Sequence, residues 1–207
     1  MEAKKGRREM KKFELTTKFI TNVAGKKLFR IKALVEFGNV KAGELGGYVE
    51  KEGNISQDGN AWVSGNAWVA GNATVSGNAW VSGNATVSGN ATVSGNAWVT
   101  DNTEVSGNAT VSGNATVSGN AEVSGNAEVS GNTDYALAQG FGTEFRCTTF
   151  YRGKNKKIMV NCGCFHGDLE EFRKQVKETR SGKIAKEYLM IADLMEYHFV
   201  SEDSGDE

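Results

Sequence analysis

The sequence predicts a mainly β protein: a triangular parallel β-solenoid with an N-terminal β cap and a small C-terminal α+β cap. Three observations predict it. A six-residue unit, Gly-Asn-Ala-x-Val-Ser, recurs in 14 consecutive copies starting at Gly53, with no insertion between them. Its third, fourth and fifth positions run small, variable, aliphatic, the in-out-in period of a strand. The chain has 26 glycines and no proline, and most of those glycines fall on the fixed spacing, which marks a repeat architecture rather than a flexible linker.

Each hexad reads as one short strand and one corner. The corner needs a residue that accepts positive φ, and glycine does so without a Cβ clash. Glycine holds the first position except at Asp101, and aspartate is one of the few other residues that tolerate this region. Asparagine holds the second position from Asn54 to Asn132, so stacked coils place identical amides above one another, ready to form ladders. Position three is alanine apart from Ile55, Thr103 and Thr133, and position five is valine from Val63 to Val129. Together they fill a narrow interior. On this reading residues 47–136 form the solenoid, 1–46 a basic tail and hairpin cap, and 137–207 an α+β segment with an acidic tail.

The run Val63-Ser64-Gly65-Asn66-Ala67 resembles hexapeptide-repeat proteins, with an aliphatic residue followed four positions later by a small one. That resemblance implies a left-handed β-helix with three hexads per coil; the periodicity alone does not determine the hand. Folded at eighteen residues per coil, the outward fourth positions separate into three columns. One reads Trp62, Trp80, Trp98, Thr116, Asp134. A second reads Trp68, Thr86, Glu104, Glu122, and the third Ser56, Thr74, Thr92, Thr110, Glu128.

The solenoid is therefore aromatic at its start and acidic at its end. Each tryptophan buries roughly 150–250 Å², so three in a column rival the largest apolar patch of a soluble monomer, about 300–600 Å². Such a column calls for a cover. Either a terminal segment of the same chain packs over it, or it is an interface with another copy or another protein. The candidate binding residues are Trp62, Trp80, Trp98 and Trp68, with Glu104, Glu122 and Glu128. Hexapeptide helices commonly form trimers, so the resemblance implies self-association, as a trimer or dimer.

The flanking segments read as caps. Phe13-Glu14-Leu15 and Phe29-Arg30-Ile31-Lys32-Ala33 predict a hairpin around Ala24–Lys27. Leu45-Gly46-Gly47-Tyr48-Val49 leads into the first coil as a plug over the open end. The cluster Lys4, Lys5, Arg7, Arg8, Lys11, Lys12 has no interleaved aromatic residues, which favours a solvated tail over nucleic-acid contact. After Leu137, Phe145–Tyr151 and Ile158–Cys162 predict a second hairpin around the polar turn 153–157. Asp168 with Glu171 predicts a capping-box helix start, with Leu169, Phe172 and Val176 on its apolar stripe. A second helix places Ile184, Tyr188, Ile191 and Met195 on one face, before the acidic Ser201–Glu207.

Cys147, Cys162, Cys164 and His166 are the candidate metal ligands. Cys162-Gly163-Cys164-Phe165-His166 would present three soft ligands on one face of an extended strand, with Cys147 on its neighbour, a chemically sensible three-cysteine, one-histidine zinc site. The usual signature spaces two cysteines by two to four residues, however, and here one intervenes. That spacing favours buried reduced thiols and no cofactor. Three cysteines are an odd number, which also argues against a disulfide framework.

A net charge of −1 gives no global pull toward nucleic acid or membrane. No apolar run is long enough to cross a bilayer and the N-terminus lacks a signal-peptide stretch, so a cytoplasmic location is expected. The layout Leu45-Gly46-Gly47-Tyr48-Val49, the repeats, Cys162-Gly163-Cys164-Phe165, Leu169-Glu170-Glu171-Phe172 and Glu187-Tyr188-Leu189 resembles uncharacterised bacteriophage and prophage proteins. That resemblance implies a bacterial host cytoplasm and a host protein as partner, and imports no activity. The expectation is a non-catalytic binding or scaffold protein, with inhibition of a host defence system as its sharper form. The alternatives are a hexapeptide-class acyltransferase, whose histidine and extruded loops the repeats lack, and a structural spacer or spike component.

Overall fold

A computed structural model describes residues 11–200, without the side chain of Val200. The hexads form two-residue parallel strands from Trp62–Val63 to Glu128–Val129, twelve among the described residues. Each pairs in register with the rung eighteen residues away: Trp62 with Trp80, Trp98 with Thr116, Thr86 with Glu104, Thr92 with Thr110. Backbone bonds carry the same register through the corners, as where the Asn60 N–H donates to the Gly77 carbonyl at 2.8 Å. Three columns of four rungs enclose a core in which Ala79, Val81, Ala97 and Val99 are fully buried.

The corners show why glycine recurs. Gly95 has φ +66°, and a Cβ there would stand 2.9 Å from the nitrogen and oxygen of Gly113 in the next coil. Asp101 adopts φ 62°, and its Oδ2 accepts from the Gly119 N–H at 2.9 Å. Thr103, in the same rung, is a buried polar residue, and its hydroxyl donates to the Val117 carbonyl at 3.5 Å. The asparagines form three amide ladders, running 60–78–96–114, 66–84–102–120 and 72–90–108–126, with N···O distances of 3.0–3.3 Å.

A solenoid's end coils offer unpaired N–H and C=O groups on which further copies can add. Here both ends are covered. Strand β1 (Phe13–Thr21) pairs antiparallel with β2 (Lys27–Ala33), and β2 with β3 (Leu45–Val49). Strand β3 then runs parallel to the Trp68–Val69 rung, making that column a seven-stranded sheet. The close approach requires Gly46 and Gly47: a Cβ would lie 2.6 Å from a Trp62 ring carbon at the first and 2.4 Å from the Ala67 oxygen at the second. Lys12 is buried against the first coil, and its Nζ donates to the carbonyls of Ala61 at 3.0 Å and Gly59 at 3.3 Å.

At the other end, β4 (Tyr135–Ala138), β5 (Thr148–Arg152), β6 (Ile158–Cys162) and β7 (Phe165–Asp168) form an antiparallel sheet in chain order. One side, with Tyr151 and Met159, closes the valine-filled interior. The other packs Phe150 and Val160 against α1 (Leu169–Thr179) and α2 (Gly182–Val200). The last coil is satisfied by this sheet: the Asn161 amide donates to the Glu122 carbonyl at 2.8 Å, the Glu122 N–H to Thr149 Oγ1 at 2.9 Å, and the Lys154 N–H to the Asn126 carbonyl at 3.0 Å. Asp134 anchors the junction through Arg152 at 3.2 Å. Burial would raise its pKa, but donors from Ser130 and Gly131 and the Arg152 charge hold it below the usual value.

The expected hairpin and the Asp168–Glu171 capping box are present, the latter with N···O distances of 2.8 and 3.0 Å. The hairpin strand starts at Thr148 instead of Phe145, because Phe145 takes a φ of 49° and points out to solvent. Strands β4 and β7, which the sequence did not predict, flank the hairpin. The acidic Ser201–Glu207 and the basic Lys4, Lys5, Arg7 and Arg8 lie outside the described residues.

The corner geometry predicts a sharp contrast between two glycine substitutions. Gly95→Ala should lower unfolding free energy by about 1–3 kcal/mol, from the left-handed backbone and the contact with the next coil. Gly53→Ala, with no positive φ and open space around its Cβ, should change it by less than about 0.5 kcal/mol. Urea unfolding followed by circular dichroism checks both.

Candidate functional site

The aromatic column is assembled in the expected register, Trp62–Trp80–Trp98–Thr116, yet its members have three different fates. Trp62 is 0% exposed. Phe37 and Phe13 of the N-terminal cap meet its ring edge-on at 5.3 and 6.4 Å between centroids, and its indole N–H has no acceptor among the described residues. Trp80 is half-buried and donates from Nε1 to Ser64 Oγ at 3.0 Å. Trp98 is 55% exposed. The expectation of a three-tryptophan surface is corrected accordingly. The chain's own N-terminal cap covers the first ring, so Trp62 belongs to the core and the accessible aromatic surface centres on Trp98.

The second column continues into the N-terminal sheet as Arg30, Tyr48, Trp68, Thr86, Glu104, Glu122. Arg30 stands over the Tyr48 ring and donates to its hydroxyl at 3.1 Å. Trp68 is half-buried and Glu104 exposed. Glu122 is half-buried beneath the C-terminal sheet. Burial and the neighbouring Glu104 push its pKa up, against the pull of His166. On the third column Glu128 is exposed, above Thr110.

The four metal-ligand candidates do not converge. A turn at Gly163 and Cys164 breaks the extended segment the sequence implied, so Cys162 pairs with Phe165 and Asn161 with His166 across it. Cys162 lies on the helix side of the sheet and accepts from Thr148 Oγ1 at 3.1 Å. His166 lies on the solenoid side, its Nδ1 2.5 Å from Asn161 Oδ1 and 3.4 Å from the Tyr151 hydroxyl. Cys164 is exposed in the turn, and burial pushes the Cys147 thiol up. Among the described residues no three His, Cys, Asp or Glu side chains gather closely enough to hold a metal ion. A cleft of about 470 Å³ opens beside Cys162 and Cys164, between Arg146, Arg180, Phe165 and Tyr188.

Two members of the basic cluster have structural roles. Lys11 pairs with Glu52 at 2.8 Å, and Lys12 holds the end-coil carbonyls described above. Burial lowers the Lys12 pKa to about 8, with Asp58 pulling the other way. The solvated tail expected for this cluster does not extend to Lys12, because a lysine directed at backbone carbonyls of a distant corner leaves no local pattern in the sequence.

Over its rungs the chain is similar to the YdcK beta solenoid repeat family, which matches residues 69–83, 79–95, 85–101 and 105–119. Both caps fall outside that match. No curated protein matches the chain. No helix among the described residues is long and apolar enough to cross a membrane.

Two measurements follow from this geometry. Acrylamide quenching should act mainly on Trp98, so Trp98→Phe should remove most of the quenchable fluorescence, while Trp62→Phe should remove a blue-shifted, protected component. In ¹³C-labelled lysine NMR, one amine should titrate near pH 8 and vanish in Lys12→Met. Because the folded amine sheds its proton before the unfolded one, whose pKa is 10.5, stability should rise as pH increases from about 8 toward 10.5.

Proposed function

We propose that the protein is a rigid, non-catalytic binding scaffold that presents Trp98 to a partner protein. One observation carries the reading: the chain's own residues cover both ends of the solenoid, yet Trp98 stays largely exposed in the middle of a flat wall. Its backbone is held on both sides by neighbouring coils, so docking orders almost nothing new on this side of the interface. A pre-organised tryptophan is a favoured anchor for protein contacts, because it offers large area at low entropic cost. Glu104 and Glu128 on the adjacent walls add negative potential, which favours a partner with a basic rim.

The uniform rungs support a scaffold rather than a catalyst. They carry no histidine, and His166 is held by Asn161 and Tyr151 at the end of the solenoid. The resemblance to bacteriophage and prophage proteins points to a partner in the bacterial host cytoplasm, including a component of a defence complex.

A photo-cross-linking residue at Thr116, directly above Trp98, tests the reading in bacterial lysate. The expected result is a discrete adduct with one host protein that is lost in a Trp98→Ser background. An adduct indifferent to Trp98→Ser, or none at all, would overturn it.

A further inference from the structure

Helix α2 has two apolar sides. Tyr188, Ile191, Met195 and Phe199 are buried in the cap. Met190, Leu194 and Tyr197 face outward on successive turns and are 61%, 58% and 74% exposed. Their spacing of four and three residues makes a continuous stripe, the pattern of a helix that seats against another helix.

The charges along α2 are unevenly spread, with both of its lysines in the first half and two of its three carboxylates in the second. Lys183 and Lys186 precede the stripe, with Glu187 beside them; Asp193 lies beside its middle and Glu196 beside its far end, next to His198. Asp193 and Glu196 share a single guanidinium, Arg173, with Glu170. Three carboxylates on one cation leave that end net negative. Lys183 pairs with Glu187 at 3.4 Å, whereas Lys186 is in no ion pair among the described residues.

We propose that α2 is a self-association helix, on which a second copy of this chain lays its own α2 antiparallel about a two-fold axis. In that arrangement Met190 of each copy meets Leu194 of the other, and the half of each helix that carries Lys183 and Lys186 lies along the half of the other that carries Asp193 and Glu196. A parallel pair would set like charges together instead. The contact is isologous, so it closes on itself as a dimer. It consists of one helix pair, below the 1,200–2,000 Å² or so of standard stable interfaces, so the dimer is reversible and concentration-dependent. It uses no residue of the Trp98 wall and does not depend on the reading of that wall.

Sedimentation equilibrium of the full chain from roughly 1 to 300 μM tests this. The wild type should pass from monomer to dimer mass. Met190→Lys/Leu194→Lys should weaken association by roughly tenfold or more. Lys183→Glu/Lys186→Glu should weaken it too, and Trp98→Ser should leave it unchanged. All substituted residues are exposed, and circular dichroism confirms folding. A wild type that stays monomeric throughout, or a dimer that survives Met190→Lys/Leu194→Lys, would overturn the proposal. So would a dimer lost in Trp98→Ser, or one indifferent to reversing the lysine charges.

Discussion

Everything in this molecule rests on the backbone hydrogen bonds that hold residues eighteen apart in register from coil to coil. They require the corners to stack with almost no space between them, and only a residue with positive φ and no bulky Cβ meets that demand at Gly95 and its equivalents. Given those corners, the pleat sends alanine and valine inward and the fourth position outward, and the asparagine amides fall into ladders. The interior is then so uniform that each coil depends only on the coils above and below it, as in other one-dimensional repeats.

The same uniformity creates a problem at the ends, and the two caps solve it with different chemistry. At the N-terminal end a strand is added in parallel, two glycines let it approach the first coil, and a buried lysine satisfies corner carbonyls. At the C-terminal end a separate antiparallel sheet lies across the last coil and supplies Thr149, Asn161 and a backbone amide as partners. A buried polar group without a partner costs about 1–3 kcal/mol, so these few contacts separate a discrete particle from an open-ended filament.

Covering the ends also decides what the walls can do. The N-terminal cap converts Trp62 from a surface residue into a core residue and leaves Trp98 outside. The C-terminal sheet separates Cys162 from His166 on its two sides and half-buries Glu122, lifting its pKa. Its helices bury one stripe of α2 and leave the opposite one exposed. Accessible surface on this protein is therefore what remains after the chain has covered its own repeat.

Local periodicity determined the six-residue strand-and-corner unit of the solenoid, the Asp168 cap and the buried stripe of α1, and the resemblance to hexapeptide-repeat proteins supplied the eighteen-residue register and with it the three outward columns. These depend on contacts that recur at fixed spacing, so the pattern of Gly, Asn, Ala and Val along the chain carries them. Only the tertiary structure decided which tryptophan is buried, which faces the cysteines and histidine occupy, and what Lys12 does. Each of those depends on a segment from outside the repeat arriving over it: Phe13 and Phe37 over Trp62, the turn at Gly163 and Cys164 reversing the strand, Lys12 reaching a corner nearly fifty residues away in the chain. Such contacts are set by how caps pack on coils, and packing between distant segments leaves no period in the sequence.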